Sequence, residues 1–297
     1  MKRRVQWQTW GVGVTLLASA SVSAGPITFN SALPVAKGAL INREILLIHR
    51  FKGDVTSANR DLEVNGLASV LVYGVTSKLA LFGVLPYIDK NLDINGGQSI
   101  ARHSKGIGDT KLFARYTFFK QDERGKTLRF AAFGGFKAPT GDDIQTDSFG
   151  RLPIPLQSGS GAWDTLGGVV MTYQTLDYEI DAQLSANNKG RANDFALGNE
   201  YRADVSLQYR LSPLEDDTHS FLYGVLEANL IHLDRNQLLG MDDDNSGGTS
   251  LFLSPGIQYV TPKYVLEAAV QLPVLQNLNG SALATDFIFT TGFRINF

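Results

Sequence analysis

The chain has no cysteine, which removes disulfides, thiol nucleophiles and thiolate metal ligands at once. Past residue 24 it has no apolar run near the roughly 18 residues that a membrane helix needs. Histidine is scarce: His49, His103, His219 and His232 lie in four separate segments. No H-E-x-x-H, G-x-S-x-G or C-x-x-C occurs. From these absences no catalytic residue, no metal site and no cofactor is expected. Charge of one sign is lacking too, with 27 basic residues against 29 acidic and a net charge of −2. That balance argues against a nucleic-acid partner.

The first segment reads as a secretory signal peptide over residues 1–24. Lys2, Arg3 and Arg4 precede an apolar stretch from Trp10 to Ala20, and Val22-Ser23-Ala24 places small residues before Gly25. Without those three cations the net charge becomes −5. An exported chain with no spanning helix is periplasmic, secreted or an outer-membrane barrel. Hydropathy alone does not choose, because a barrel hides its apolar face by alternation.

Alternation is what the rest of the chain contains. Period-two runs bounded by turn residues predict about twelve strands, near 40–51, 62–74, 79–89, 106–119, 127–139, 162–174, 178–187, 198–210, 220–233, 249–260, 263–274 and 285–297. Strands of about eleven residues, at about 3.3 Å each and tilted by about 40°, span about 25–28 Å. The intervals at 52–61, 90–105, 140–161, 188–197, 234–248 and 275–284 are long, and those at 75–78, 120–126, 175–177, 211–219 and 261–262 mostly short. Such sorting fits a transmembrane barrel and has no cause in a sandwich. Tyr73, Tyr116, Tyr173, Tyr178, Tyr209, Tyr223, Tyr259 and Tyr264 all flank the short connections, as an aromatic girdle would. The final run places Phe287, Phe289, Phe293, Ile295 and Phe297 on one face. A strand ending in an aromatic resembles the closing strand that barrel-assembly machinery binds, although a soluble edge strand could also carry this pattern. The expected fold is all-β: a single transmembrane antiparallel up-and-down β-barrel over 40–297, after a periplasmic N-terminal segment over 25–39.

Several strands concentrate charge on one face. Glu200, Arg202, Asp204 and Arg210 alternate with Tyr201, Ala203, Val205, Leu207 and Tyr209. Asp109, Lys111 and Arg115 share a second face, Arg129 and Lys137 a third, and Glu179 and Asp181 a fourth; Glu227, Glu267 and Arg294 join them. Charges on lipid would cost several kcal/mol near the midplane, so these fourteen are candidates to line a lumen. They could steer a solute, or form cross-strand ladders that fill the barrel. Asp242-Asp243-Asp244-Asn245-Ser246-Gly247 lacks the acidic residue that a calcium loop has six positions after its glycine and reads as a solvated surface loop. His232 could stand at an outer rim as in barrel phospholipases, but no local signature accompanies it. The loop from Thr140 to Gly161 is long enough to fold inward or to cover the rim.

Some segments carry a resemblance. Gly106-Ile107-Gly108-Asp109, Lys137-Ala138-Pro139-Thr140-Gly141-Asp142 and Leu156-Gln157-Ser158-Gly159-Ser160-Gly161-Ala162 are followed by Leu253-Ser254-Pro255-Gly256-Ile257-Gln258-Tyr259 and Leu266-Glu267-Ala268-Ala269-Val270-Gln271-Leu272-Pro273. In that order they resemble the outer-membrane family named for the meta-pathway of phenol degradation, whose members are regarded as transporters. The resemblance implies passage of small, often aromatic or apolar, compounds across the outer membrane and supplies no functional residues. The expected partners are outer-membrane lipid, the assembly machinery through the strand ending at Phe297, and a small-molecule solute. Alternatives are a porin for small polar solutes, an outer-membrane hydrolase, and a structural or adhesive barrel.

Overall fold

The computed structural model describes residues 24–97, 99–213 and 220–297. All but the last residue of the expected signal peptide lies outside the described residues. Among those described, twelve long strands form one closed antiparallel sheet: β1 (Leu40–Phe51), β2 (Arg60–Gly74), β3 (Leu79–Ile94), β4 (Ile100–Ile107 continued by Thr110–Glu123), β5 (Lys126–Ala138), β6 (Asp164–Thr175), β7 (Tyr178–Asn188), β8 (Glu200–Pro213), β9 (Phe221–Leu233), β10 (Gly248–Val260), β11 (Tyr264–Leu278) and β12 (Thr285–Asn296). Each pairs with its sequence neighbours. β1 closes the cylinder by pairing with both β2 and β12, Ile41 lying opposite Val72 and Asn296.

Closure satisfies backbone groups that lipid could not, and side-chain placement is inverted relative to a soluble protein. The largest fully buried side chains include Gln208, Gln258, Glu179, Glu227, Asn229 and Asp204. Leu71, Leu85, Val205, Leu226, Ile257 and Leu266 are exposed on the outside. Polar in and apolar out is the pattern of a barrel whose solvent is lipid.

Connections at one end are short, such as 124–125, 176–177 and 261–263, and those at the other are mostly longer, up to 139–163. At that long-loop end Arg191–Ala192, Phe195–Ala196, Gln237–Leu238 and Met241–Asp242 build a small second sheet. The barrel wall differs from the sequence expectation in two places. The β3–β4 hairpin extends through residues 90–105, where a loop is expected. Its pairs Asp89–Lys105 and Asn91–His103 are polar, so the alternation of a lipid-facing strand is invisible there. Tyr223 leaves the girdle: it packs inward on Ala24, Val260 and Val265, while Tyr73, Tyr116 and Tyr209 stay exposed.

Candidate functional site

Of residues 25–39, expected as a periplasmic segment, 25–35 run inside the barrel, while 36–38 are exposed at its short-turn end. An extended segment without a strand partner has unpaired amides and carbonyls, and buried ones must be satisfied. Here the wall's side chains satisfy them. Gln258 accepts from the Gly25 N–H at 3.2 Å and donates to its carbonyl at 2.8 Å. Glu227 accepts from the N–H groups of Ile27 at 2.6 Å and Thr28 at 3.2 Å. Thr172 accepts from Ala32 N–H at 2.8 Å, and the Arg115 guanidinium donates to the carbonyls of Ser31 and Leu33. Ile27 packs on Val225 and Ala269, Ala32 on Ala131 and Val170, and Val35 on Val72, Ala80 and Phe82. The segment thus lies across the lumen, from the β9–β11 wall to the β2–β3 wall.

The candidate residues fall into three groups. Near the short-turn end, Arg210 pairs with Asp177 at 2.6 Å and Arg129 with Asp122 at 3.5 Å. In the middle, Glu227 and Arg115 hold the N-terminal segment. Asp181 accepts from Thr172, Glu179 from Gln174 at 2.7 Å, and Asp204 from Asn229 at 2.9 Å. Arg202 pairs with Asp204 at 3.0 Å, Arg43 donates to Glu267, and Gln258 reaches Glu267 at 2.9 Å. Arg294 lines the same interior and is engaged there. Toward the long-loop end, Lys137 bridges Asp109 at 2.8 Å and Asp164 at 3.0 Å, while Lys111 and Glu200 face the lumen beside them.

Three of the resembling motifs meet at one place. β4 is interrupted at Gly108-Asp109: β3 pairs with its upper half through Ile107 and with its lower half from Lys111. β5 follows only the lower half, so the loop 139–163 covers the upper one. Asp109 accepts from the N–H groups of Gly141 at 3.0 Å and Ser160 at 2.9 Å, and from the Ser160 hydroxyl at 2.6 Å. Thr140 accepts from Thr110 N–H at 2.9 Å and donates to the Gly108 carbonyl at 3.2 Å. Gly159 and Gly141 cross so closely that a Cβ on Gly159 would lie 2.3 Å from the Gly141 carbonyl carbon. The glycines of these motifs permit the crossing, and the carboxylate and lysine fasten it.

Between the N-terminal segment and the wall lies a cavity of about 480 Å³. One side is polar, with Gln183, Ser185, Asn187, Glu200 and Arg202. The other is apolar, with Ile45, Val70, Phe82, Val84, Phe113 and Phe133. Phe82 and Phe113 stack at 4.5 Å with 9° between their planes, Phe133 follows at 6.1 Å, and the Arg115 guanidinium sits 5.0 Å from the Phe82 centroid. The fourteen charges do not contain this apolar half. Its signal was present in Val70-Leu71-Val72 and Leu79-Ala80-Leu81-Phe82, where period two disappears because both faces are apolar.

Two other features have plain surroundings. His232 lies 2.8 Å from Thr249 and 3.5 Å from Asp234, half exposed. Asp243 and Asp244 bond Asn245 N–H and Arg235. Among the described residues no group of His, Asp and Glu is placed to hold a metal ion.

Residues 51–274 match the family described as "Putative MetA-pathway of phenol degradation". None of the curated proteins matches this sequence. Among solved structures, an outer membrane channel from Pseudomonas putida F1 aligns at 16% identity, covering 93% of this chain and 100% of that one, with a TM-score of 0.70. The beta domain of the Bordetella autotransporter BrkA aligns at 13% identity, covering 88% and 100%, with a TM-score of 0.49. The first of these shares the outer-membrane barrel fold.

Proposed function

Because the chain belongs to the phenol-degradation MetA-pathway family, we propose that it is a passive outer-membrane channel for small aromatic or apolar molecules. The observation that carries this is the aromatic wall inside the barrel, the stacked Phe82 and Phe113 with Phe133 tilted beside them. A barrel filled only for structural reasons has no need of aromatic surface facing a cavity. An aromatic solute, in contrast, gains both apolar burial and ring stacking there. On this reading transport follows the solute gradient.

The test is uptake of a radiolabelled aromatic at limiting concentration by cells with and without the protein. Faster uptake of the aromatic, with no gain for a neutral disaccharide, supports the reading. Gain for the sugar alone would favour the polar-solute porin, which the Gln183–Asn187–Glu200 side of the cavity could serve. No gain for either would leave a structural barrel.

A further inference from the structure

Five cations line the cavity: Arg43, Lys111, Arg115, Arg202 and Arg294. Four are engaged by the protein itself. Arg43 pairs with Glu267, Arg115 with the carbonyls of Ser31 and Leu33, Arg202 with Asp204, and Arg294 is also held. Lys111 differs. Among the described residues its ammonium has no hydrogen-bond or ion-pair partner. The charges that act on it most strongly are Lys189, Glu200, Lys137 and Asp164, two of each sign. Lys137, directly opposite across the β4–β5 pair, is already fastened to Asp109 and Asp164, and Lys189 lies 3.6 Å from Asp164. The neighbours therefore offset one another and leave the Lys111 charge uncompensated at the cavity wall.

Position makes this useful. Lys111, Phe113 and Arg115 alternate down one face of β4, about 7 Å between successive members. Phe113 carries the stack with Phe82 below the ammonium. Arg115 beneath it is consumed in holding the N-terminal segment. A cation above an apolar aromatic surface fits a molecule with an aromatic body and one anionic oxygen group.

We propose that Lys111 is the head-group anchor of a solute site in the lumen, and that this site takes small aromatic acids, with the ring on Phe113 and Phe82 and the carboxylate on the lysine ammonium. The inference rests on the channel reading and narrows it: the solute class is the anionic aromatic, more than the neutral hydrocarbon. A charge-assisted hydrogen bond between an ammonium and a carboxylate is strong enough to discriminate by about tenfold or more.

Equilibrium binding to the purified full chain in nanodiscs tests it, with benzoate and its neutral counterpart benzyl alcohol as probes. Native protein is expected to bind benzoate at least about tenfold more tightly. Lys111→Met should remove that preference, benzoate losing far more affinity than benzyl alcohol, and the benzyl alcohol binding that the ring contacts retain shows that the variant has folded. Lys111→Arg should retain the preference, and Glu200→Gln, which removes a competing acid near the ammonium, should raise it. Equal affinities in the native protein, or a preference that survives Lys111→Met, would overturn the anchor while leaving the channel reading intact. If neither probe binds, the cavity is not a solute site, and the anchor falls together with its premise.

Discussion

Glu227 accepts a 2.6 Å hydrogen bond from the backbone N–H of Ile27, 200 positions earlier in the chain. Its other oxygen takes the N–H and hydroxyl of Thr28. One buried carboxylate thus pins the beginning of the segment that crosses the lumen. Bonds to a charged acceptor contribute roughly 1.5–3 kcal/mol each, so Glu227→Ala should free the segment to move. Planar-bilayer recordings should show larger and more variable conductance for this variant, and larger still when residues 25–35 are deleted. Glu227→Gln keeps an acceptor for Ile27 and should fall between. Traces identical to native for all three would mean that the segment does not limit passage.

The crossing at the β4 interruption is equally specific. Lys137 lies between two buried acids, Asp109 and Asp164. Lys137→Met would take that cation from both, leaving Asp109 to its Gly141 and Ser160 donors and Asp164 to Lys189 and the Gly190 N–H, and breaking a buried pair costs up to about 3–5 kcal/mol. Gly159→Val places a branched side chain where even a Cβ meets the Gly141 backbone. Both variants should loosen residues 139–163 and expose them to protease on intact cells. A loop as resistant as native in both would show that neither contact fastens it.

Strand number and period were legible because most strands have one face in lipid and one in a polar interior. In β8, Val205 and Leu207 are exposed while Asp204 and Ser206 are fully buried, and that contrast is written residue by residue. It fails in β2 and β3, where the inner face carries Val70, Val72 and Phe82 and both faces look alike. It fails again in residues 25–39, which have no period; their partners Glu227, Gln258, Thr172 and Arg115 come from four distant strands. Similarly, the motifs around Gly108, Gly141 and Gly159 were visible as patterns, but only the folded chain brings them to one spot.

Labelling of β8 tests its orientation and its packing together. Cysteine at position 200, where Glu200 borders the cavity, should react with a small charged thiol reagent. Cysteines at 205 and 207 should not, because lipid covers them. Position 204 should also be slow: Asp204 is 1% exposed and bonded to Asn229, Arg202 and Gln183. Reaction at 205 in place of 200 would mean a one-residue slip that exchanges the two faces.

The loop between β1 and β2 is set against acid. The Arg60 side chain holds the Asp54 carboxyl well below the usual carboxylate range, with help from the Arg60 and Thr56 N–H groups and against the opposing effect of burial. A depressed carboxyl contributes stability above its unfolded pKa of about 4, and loses it as pH falls further toward the folded value. Amide exchange at Thr56 and Arg60, corrected for intrinsic rate, should therefore show constant protection from pH 7 to about 4 and a decline only below that. Asp54→Asn should lower protection across the whole range. Protection that already falls between pH 7 and 5 would point to a different group.

Glu44 stands on the outside of the barrel, opposite Phe293 and Ser69 and between the outward residues Leu40 and Leu46. Its Oε1 accepts from the Asn42 amide at 2.9 Å and the Ser69 hydroxyl at 2.7 Å. Those two donors lessen the exposure of the carboxylate to hydrocarbon and do not remove its charge. Charge facing hydrocarbon should still be unfavourable: basic side chains on a barrel's lipid face cost up to about 2–4 kcal/mol at the midplane, and acidic ones less. Glu44→Gln keeps an acceptor for both donors and sheds the charge, so it should stabilise the barrel by about 1 kcal/mol in denaturant titrations into bilayers. Glu44→Lys should destabilise it by more than that, and Glu44→Leu should gain less than the glutamine because it strands Asn42 and Ser69. If glutamine and leucine both destabilise, the carboxylate has a cationic partner within the membrane, and the outer face at β1 and β2 is a contact surface.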